Sequence, residues 1–375
     1  MRIGIEAQRI FREKKHGMDF VALELIKNLP ANSAHEFFVF VNASDAEIKR
    51  EEFPGVIIIN HKAAYPVWEQ VWLPKMAEKL ELDVLHCTAN TFPISCKVPT
   101  VLTLHDIIFL EKHPLLEKDF TLYQRFGNLY RRFLVKNFIQ RIDSIATVSQ
   151  FEEQNIAKAL PSTKNLEVVY NGVGGHFNDS KLCDDEKASL RSKYGLPENY
   201  LLFLGNTDPK KNTRNTLKAF ASFLENNPDA FLVVGDLKAD YINDCLAGKG
   251  FEKARSRVVP VGYIANTDLP GLIKMSRAFV YTSLRESFGI PLLEGMACGV
   301  PVLTSDTSSM PEIAAGAAFL IDPASVDSIA HGMSALWEDG IENVLSKIQG
   351  LRRSAAFSWS KMASEYVQLY QKVAS

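Results

Sequence analysis

Two glutamates, Glu286 and Glu294, stand with seven residues between them in the run Ser283-Leu284-Arg285-Glu286-Ser287-Phe288-Gly289-Ile290-Pro291-Leu292-Leu293-Glu294-Gly295-Met296-Ala297-Cys298-Gly299-Val300-Pro301. Pro291 suits the first position of a helix, where a missing N–H is no loss. Gly299 suits the position just past a helix end, and Pro301 cannot continue one. The pattern therefore predicts a short helix from about Pro291 to Cys298. Its first N–H groups, roughly from Phe288 to Leu293 apart from Pro291, would have no partner within the helix. Free donors and the positive end of the helix dipole coincide there, which suits a phosphate. Gly289 lets a ligand approach the backbone, so Ser287, Phe288, Gly289 and Ile290 are candidate anion-holding positions. Glu286 in the preceding loop and Glu294 in the first turn would flank that anion, and charged acceptors make strong hydrogen bonds to sugar hydroxyls. Alone, such a pair reads as a solvated loop charge plus a residue that complements the dipole by about 0.3–1 kcal/mol. The surrounding Phe-Gly and Glu-Gly-Met-Ala-Cys-Gly-Val-Pro favour a ligand site.

Other segments carry polar groups where strands end. Gly205-Asn206-Thr207-Asp208-Pro209-Lys210-Lys211-Asn212 lies between a strand pattern and a helix pattern. Cations at a helix start oppose the dipole, and a bound anion would explain both lysines. A lysine reaches a diphosphate as a point charge. Thr103-Leu104-His105-Asp106 ends another strand, so His105 faces the functional side of its sheet, with Asp106 placed to orient it. Val261-Gly262-Tyr263-Ile264 ends a third. Lys15-His16-Gly17-Met18-Asp19 follows the first strand, and the absence of G-x-G-x-x-G argues against a dinucleotide site there.

Positioning these groups is the task of two series of short apolar runs separated by amphipathic stretches. The first series is Arg2–Glu6, Phe37–Val41, Val56–Ile59, Val84–Cys87, Thr100–Leu104, Ile145–Val148 and Glu167–Tyr170. The second is Tyr200–Leu204, Phe231–Gly235, Val258–Val261, Ala278–Tyr281, Val300–Leu303 and Ala318–Ile321. Runs apolar at nearly every position suit parallel strands covered on both faces, and their alternation with helices predicts an α/β protein of two Rossmann-like doubly wound sheets. With 375 residues, two domains are expected. Residues 1–175 and 176–356 are their expected spans, with a polar linker around 172–197. A helix is expected near Val326–Trp337 and an amphipathic one at the end of the chain. Ligands of such sheets bind outside the carboxyl ends of the strands, so two facing sheets would make a cleft.

The net charge of -2 provides no global field for nucleic acid. No apolar run approaches the roughly 18 residues of a membrane span. Arg2 and Glu6 exclude a signal-peptide core at the start. Five scattered cysteines without a C-x-x-C pair argue against a zinc site or disulfide framework. A cytoplasmic protein is expected. From Tyr123 to Ile142, Arg125, Arg131, Arg132, Lys136 and Arg141 occur with no acidic residue among them. Two readings stay open here: a core helix with a solvated basic face, or a basic amphipathic helix resting on an anionic membrane.

The frame around Glu286 and Glu294 closely resembles the E-x7-E signature of the retaining family 4 glycosyltransferases, which have the GT-B fold. The likeness continues through Val302-Leu303-Thr304-Ser305 and Ser308-Ser309-Met310-Pro311-Glu312, and more weakly over nearly the whole chain. The resemblance implies that Glu286 contacts the donor sugar, that Glu294 binds the ribose hydroxyls, and that amides near Phe288, Gly289 and Ile290 hold the diphosphate. It makes Lys211 a donor-phosphate contact. Asn206 stands where some members have arginine, so one phosphate contact is lacking. Residues Tyr263 and Ile264 would lie against the base, His105 near the donor sugar after domain closure, and Gly17 in the loop over donor and acceptor, though the usual Gly-Ile-Gly is absent. The final helix, residues 357–375, would pack back on the first, acceptor-binding domain. The family works without metal or other cofactor, its nucleotide sugar being substrate. The resemblance points to a mannosyltransferase-like enzyme of surface-polysaccharide synthesis, with GDP-mannose as favoured donor, UDP-sugars next, and a glycan or lipid-linked acceptor. A GT-B epimerase or hydrolase, and a nucleotide-binding protein without catalysis, are the competing readings. The oligomeric state is not legible.

Overall fold

The computed structural model describes residues 1–12, 17–30, 34–44, 47–111, 122–338 and 340–375. The chain divides into two units, Met1–Gly172 with Ser358–Ser375, and Val173–Phe357.

The first unit holds seven parallel strands: β1 (Arg2–Glu6), β2 (Glu36–Val41), β3 (Val56–Asn60), β4 (Val84–Cys87), β5 (Thr100–Thr103), β6 (Ser144–Thr147) and β7 (Leu166–Val168), in the order β3-β2-β1-β4-β5-β6-β7. Ile5 is opposite Val39 on one side and His86 on the other. Ile3, Ile5, Val39, Phe40, Leu85 and Leu102 are fully buried, as parallel strands covered on both faces must be.

The second unit holds six: β8 (Tyr200–Leu204), β9 (Phe231–Gly235), β10 (Val258–Gly262), β11 (Ala278–Tyr281), β12 (Val302–Ser305) and β13 (Phe319–Ile321), in the order β10-β9-β8-β11-β12-β13. Phe203, Leu217, Phe220, Leu232, Val280 and Leu303 lie in its core. In each sheet the strand order reverses once, between β1 and β4 and between β8 and β11. Loops at such a reversal diverge to opposite faces and leave a crevice where ligands bind.

Three sequence expectations need correction. The segment 172–197 is not an open linker, because it contains the helix Asp184–Tyr194. Asp184, Asp185 and Glu186 complement its amino end, Cys183 and Glu186 form a reciprocal cap, and Gly195 closes it in the left-handed region. None of its residues is buried, so no apolar stripe marked it. Strand β12 begins at Val302 rather than Val300, after Pro301, which has no N–H for a ladder. The helix Leu122–Phe138 is not a plain core helix with only a basic face in solvent. Leu134 and Val135 are buried, whereas Phe126 and Phe133 are more than half exposed and Leu129 is 37% exposed.

The final helix, Trp359–Ala374, belongs to the first unit. It buries Trp359, Met362, Ala363, Tyr366, Leu369 and Tyr370, the i, i+3, i+4, i+7 stripe of a helix packed on a sheet. A Cβ at Gly172 would lie 2.2 Å from the Trp359 nitrogen, so only glycine admits this crossing. Buried His86 on β4 joins the helix to the sheet, with Nδ1 2.7 Å from the Tyr370 hydroxyl and Nε2 2.7 Å from the Thr103 hydroxyl. Thr103 is in turn 2.7 Å from the Tyr366 hydroxyl. Burial, with a smaller push from His105, drives the His86 pKa down to about 3, so the ring stays neutral and both nitrogens are satisfied. Replacing Tyr370 with Phe strands one buried ring nitrogen. Tyr370→Phe should cost about 1–3 kcal/mol, read as a lower urea midpoint at constant slope; an unchanged midpoint would show that this network does not anchor the helix.

Candidate functional site

The two loops that leave β8 and β11 meet at the strand-order reversal of the second unit. The first makes a tight turn, in which the Asn206 side chain accepts from Asp208 N at 2.9 Å and Asp208 accepts from Lys210 N at 3.0 Å. This turn becomes the one-turn helix Pro209–Lys211 and then the helix Thr213–Asn226. The second loop is sewn to it: Leu284 N donates to Lys210 O at 2.7 Å, and the Thr216 and Thr282 hydroxyls are 2.6 Å apart.

This sewing places Lys211 Nζ 2.7 Å from Glu286 Oε1, with side chains only 19% and 13% exposed. The ammonium also lies 5.1 Å from the centroid of the Tyr281 ring. Burial raises the Glu286 pKa, but the charges of Lys211 and Lys210 and hydrogen bonds from Lys211 and Ser283 outweigh it and hold it below the usual carboxylate value. Glu286 is thus an ionised acceptor at neutral pH. Its backbone is fixed by two serines. Glu286 N donates to Ser308 Oγ at 3.0 Å, and the Ser308 and Ser309 hydroxyls both donate to Glu286 O at 3.0 Å. Ser309 also reaches Phe288 O at 3.0 Å.

Beyond the loop, Gly289 takes a φ of +96°, and a Cβ there would come within 3.5 Å of the Tyr281 ring. A left-handed turn against an aromatic face suits glycine. The helix then runs Ile290–Ala297, starting one residue before Pro291. Leu292 N already bonds Gly289 O at 3.0 Å, so that donor is taken. Because the helix begins at Ile290, Glu294 falls beyond its first turn, not in it. Glu294 does not serve as a charge at the helix end. It is 8% exposed, and burial, with no ion pair or hydrogen bond to offset it, pushes its pKa up to about 8. A carboxyl kept neutral at pH 7 both donates and accepts, which suits a hydroxyl-bearing ligand.

The remaining expected residues are placed as follows. Ser287 and Ile290 are half-buried beside the helix start, whereas the Phe288 ring is buried edge-on against Phe357 at 5.9 Å, leaving only its backbone for a ligand. Asn206 is committed to its turn by the Asp208 contact and by Thr213, whose hydroxyl donates to Asn206 O at 2.7 Å. Tyr263 follows the edge strand β10 and is 77% exposed, while Ile264 is buried at Gly235. In the first unit, His105 is buried. Its Nε2 donates to Thr88 O at 3.0 Å and its backbone N donates to Asn90 Oδ1 at 2.7 Å. Burial lowers its pKa more than the Thr88 bond and the nearby Asp106 and Asp19 raise it, so the imidazole is neutral. Asp106 does not orient the ring as expected. Its carboxylate caps Ile108 N at 3.0 Å, and the Thr88 carbonyl fixes the tautomer instead. Gly17 opens the helix Gly17–Lys27 with open space around it, and Lys15 and His16 lie outside the described residues. Sequence reasoning gave no role to Tyr281, Ser308 or Ser309. The only sequence signal for the serines was their position in Ser308-Ser309-Met310-Pro311-Glu312.

Two doubly wound units of this kind define the GT-B class of fold. Residues 186–349 match the family model described as glycosyl transferases group 1, and residues 16–174 match that described as glycosyltransferase family 4. Between them the two matches span most of the chain, and the chain belongs to glycosyltransferase family 4, a family of sugar-transferring enzymes. It is 30% identical over 248 residues to the O-antigen chain mannosyltransferase B of Escherichia coli, covering 64% of each chain. It is 29% identical over 271 residues to the serotype-specific mannosyltransferase WbdA of Escherichia coli, covering 70% of this chain and 32% of that protein. The chain thus spans less than two thirds of the length of these relatives. Its fold matches that of Anabaena HepE, crystallised in complex with UDP and glucose, with a TM-score of 0.74, 19% identity, and coverage of 99% of this chain and 100% of the other.

Glu294 yields a pH test. The native chain keeps this proton to about pH 8, whereas the unfolded chain releases it near its ordinary value of 4.5. Native stability should therefore fall as pH rises through that window. Glu294→Gln should match the parent near pH 4.5 and exceed it above pH 8 by on the order of 2–4 kcal/mol. Thermal melts from pH 4.5 to 8.5 check this; parallel curves for the two proteins would mean that Glu294 is ionised in the fold.

Proposed function

We propose that this chain transfers a hexose, with retention of anomeric configuration, from a nucleoside-diphosphate sugar to a glycan or lipid-linked acceptor in surface-polysaccharide synthesis. GDP-mannose is the favoured donor and UDP-sugars come next. The observation that carries this reading is the Lys211–Glu286 pair at 2.7 Å, set where the second sheet reverses its strand order. The names of the two bacterial relatives support mannose, and the complex of the HepE fold relative supports a nucleotide-linked donor.

The residues divide the work by charge. Lys211 and the backbone N–H groups between Ser287 and Ile290 stabilise the leaving diphosphate, the electrostatic task that dominates such reactions. Glu286 accepts hydrogen bonds from the donor sugar, and Glu294, protonated, binds ribose hydroxyls. Tyr263 and Ile264 line the base. The acceptor oxygen forms its bond to the anomeric carbon on the face from which the diphosphate oxygen departs. A donor phosphate oxygen takes the acceptor proton, and no side chain acts as nucleophile. With Lys211 and the helix amides at the phosphates, transfer is expected to persist in EDTA. His105, a neutral imidazole, contributes hydrogen bonding at the donor sugar.

No helix among the described residues is long and apolar enough to cross a membrane. We place the enzyme in the cytoplasm, resting on anionic lipid through Leu122–Phe138. Exposed Phe126, Leu129 and Phe133 repeat at helical spacing beside Arg125, Arg132 and Lys136, the combination that binds interfaces.

Three experiments test these readings. Lys211→Ala and Glu286→Gln should each lower kcat/KM by about 100-fold or more, in a donor and product assay run at a temperature where circular dichroism shows each variant folded, since removing one partner of a buried pair also lowers stability. GDP or UDP should raise the parent's melting temperature in a nucleotide panel, since ligands that bind only the native state stabilise it. Near-normal turnover in both variants would overturn the site. Phe126→Glu with Phe133→Glu should abolish co-sedimentation with phosphatidylglycerol vesicles; unchanged co-sedimentation would overturn the membrane contact.

A further inference from the structure

The first sheet reverses its strand order between β1 and β4, and the polar wall at that reversal has no task in the donor chemistry. Glu6 closes β1. Its carboxylate accepts from Gln8 N at 3.0 Å and from Thr88 N at 3.2 Å, and the Thr88 hydroxyl donates to Glu6 O at 2.7 Å. Nearby the chain widens into a π-type turn over Trp68–Trp72, an uncommon element found mostly at functional sites. That turn carries Glu69, which is 2% exposed and accepts from the Tyr130 hydroxyl at 2.6 Å and from Gln70 Nε2 at 2.9 Å. The Tyr65 and Thr91 hydroxyls are 2.5 Å apart. Arg9 reaches both sides, with Nε 3.6 Å from Asp19 Oδ1 and its guanidinium 5.9 Å from the centre of the Tyr65 ring.

One member of this wall is left open. Gln8 is 6% exposed, and neither its side-chain oxygen nor its side-chain nitrogen has a hydrogen-bond partner among the described residues. Its backbone is committed, because N bonds Glu6 and O accepts from Asn42 N at 3.3 Å, which holds the residue at the carboxyl ends of β1 and β2. An amide buried without partners costs the fold the desolvation of both its polar atoms. Buried polar groups are nearly always matched, so this one calls for a ligand that both donates and accepts. A sugar hydroxyl does both. An anion does not fit. The charged groups that these contacts bring together, among the described residues, are Glu6, Asp19 and Glu69 against Arg9. Burial raises the pKa of Glu6 and of Glu69, and the charge of Glu6 adds to the rise at Glu69. A phosphate would enter a site that already resists negative charge.

We propose that Gln8 reads a neutral acceptor pyranose, its amide oxygen accepting from one hydroxyl and its amide nitrogen donating to another, so that this crevice selects an uncharged glycan end over a phosphorylated sugar. The ligand's role as acceptor rests on the transfer reaction proposed above, whereas its binding at Gln8 can be read without turnover.

Gln8→Met, close in size and without the amide, separates a reader of the ligand from a structural residue. Removing unmatched polar atoms should raise the melting temperature. The probe is methyl α-mannoside, the sugar that a chain built of mannose presents. In titrations followed by saturation-transfer NMR the parent should bind it in preference to mannose 6-phosphate, and the variant should bind it about tenfold or more weakly. In the transfer assay KM for the mannoside should rise by the same factor while the donor KM stays in place. A stabilised variant that binds the mannoside as the parent does would make Gln8 a structural amide and overturn the proposal. A variant that melts lower would overturn it too, since the amide would then be matched within the fold. So would a parent that prefers mannose 6-phosphate or binds neither sugar. Mannoside binding that depends on Gln8, in a chain that transfers no sugar, would support this site and overturn the transfer reaction instead.

Discussion

A lysine and a glutamate, each more than four-fifths shielded from water, meet at 2.7 Å between the loops that follow β8 and β11. Withdrawing two charges from water costs several kcal/mol per ion, and their attraction repays this only with excellent geometry and further hydrogen bonds. The second unit supplies both. Adjacent parallel strands deliver the two loops side by side, the Leu284–Lys210 backbone bond locks them together, and Ser308 and Ser309 hold the glutamate backbone from β12's side. A pair held at such expense has little to offer stability and much to offer a ligand that carries both phosphates and hydroxyls.

The two acidic side chains of the motif are driven to opposite states by their surroundings. Glu286 keeps its charge because lysines outweigh its burial, and Glu294 loses its charge because nothing does. One carboxylate that only accepts and one carboxyl that donates as well make a chemically asymmetric site from a repeated residue type. Burial leaves both His86 and His105 of the first unit neutral, and their hydrogen-bond partners separate their roles. Buried His86 is consumed in tying the last helix to the sheet, while His105 is held by the Thr88 carbonyl at a strand's carboxyl end.

The helix Ile341–Ser354 packs behind the helix that bears Glu294, through Gly350 and Met296. Bonds from Asn343 and Arg353 to carbonyls of neighbouring helices fix which way its apolar residues point.

The strands were legible one by one, because a buried parallel strand must be apolar at nearly every position and each run is bounded by turn residues. The E-x7-E frame was legible for a similar reason: Pro291, Gly289 and Gly299 impose a local backbone that allows little else. Helices whose stripes do not face a core escaped the same reading. Asp184–Tyr194 has no fully buried residue, and Ile341–Ser354 turns its apolar side outward, so neither follows the rule by which helices are recognised. Local chemistry in the sequence by itself determined the two α/β series, the phosphate-suited turn and the identity of its acidic residues. Only the tertiary structure decided that Lys211 pairs with Glu286, that Glu294 sits neutral beyond the first helical turn, that Thr88 rather than Asp106 orients His105, and which faces stay in water. Each of these depends on groups far apart in the chain, and burial and charge are summed over neighbours in space.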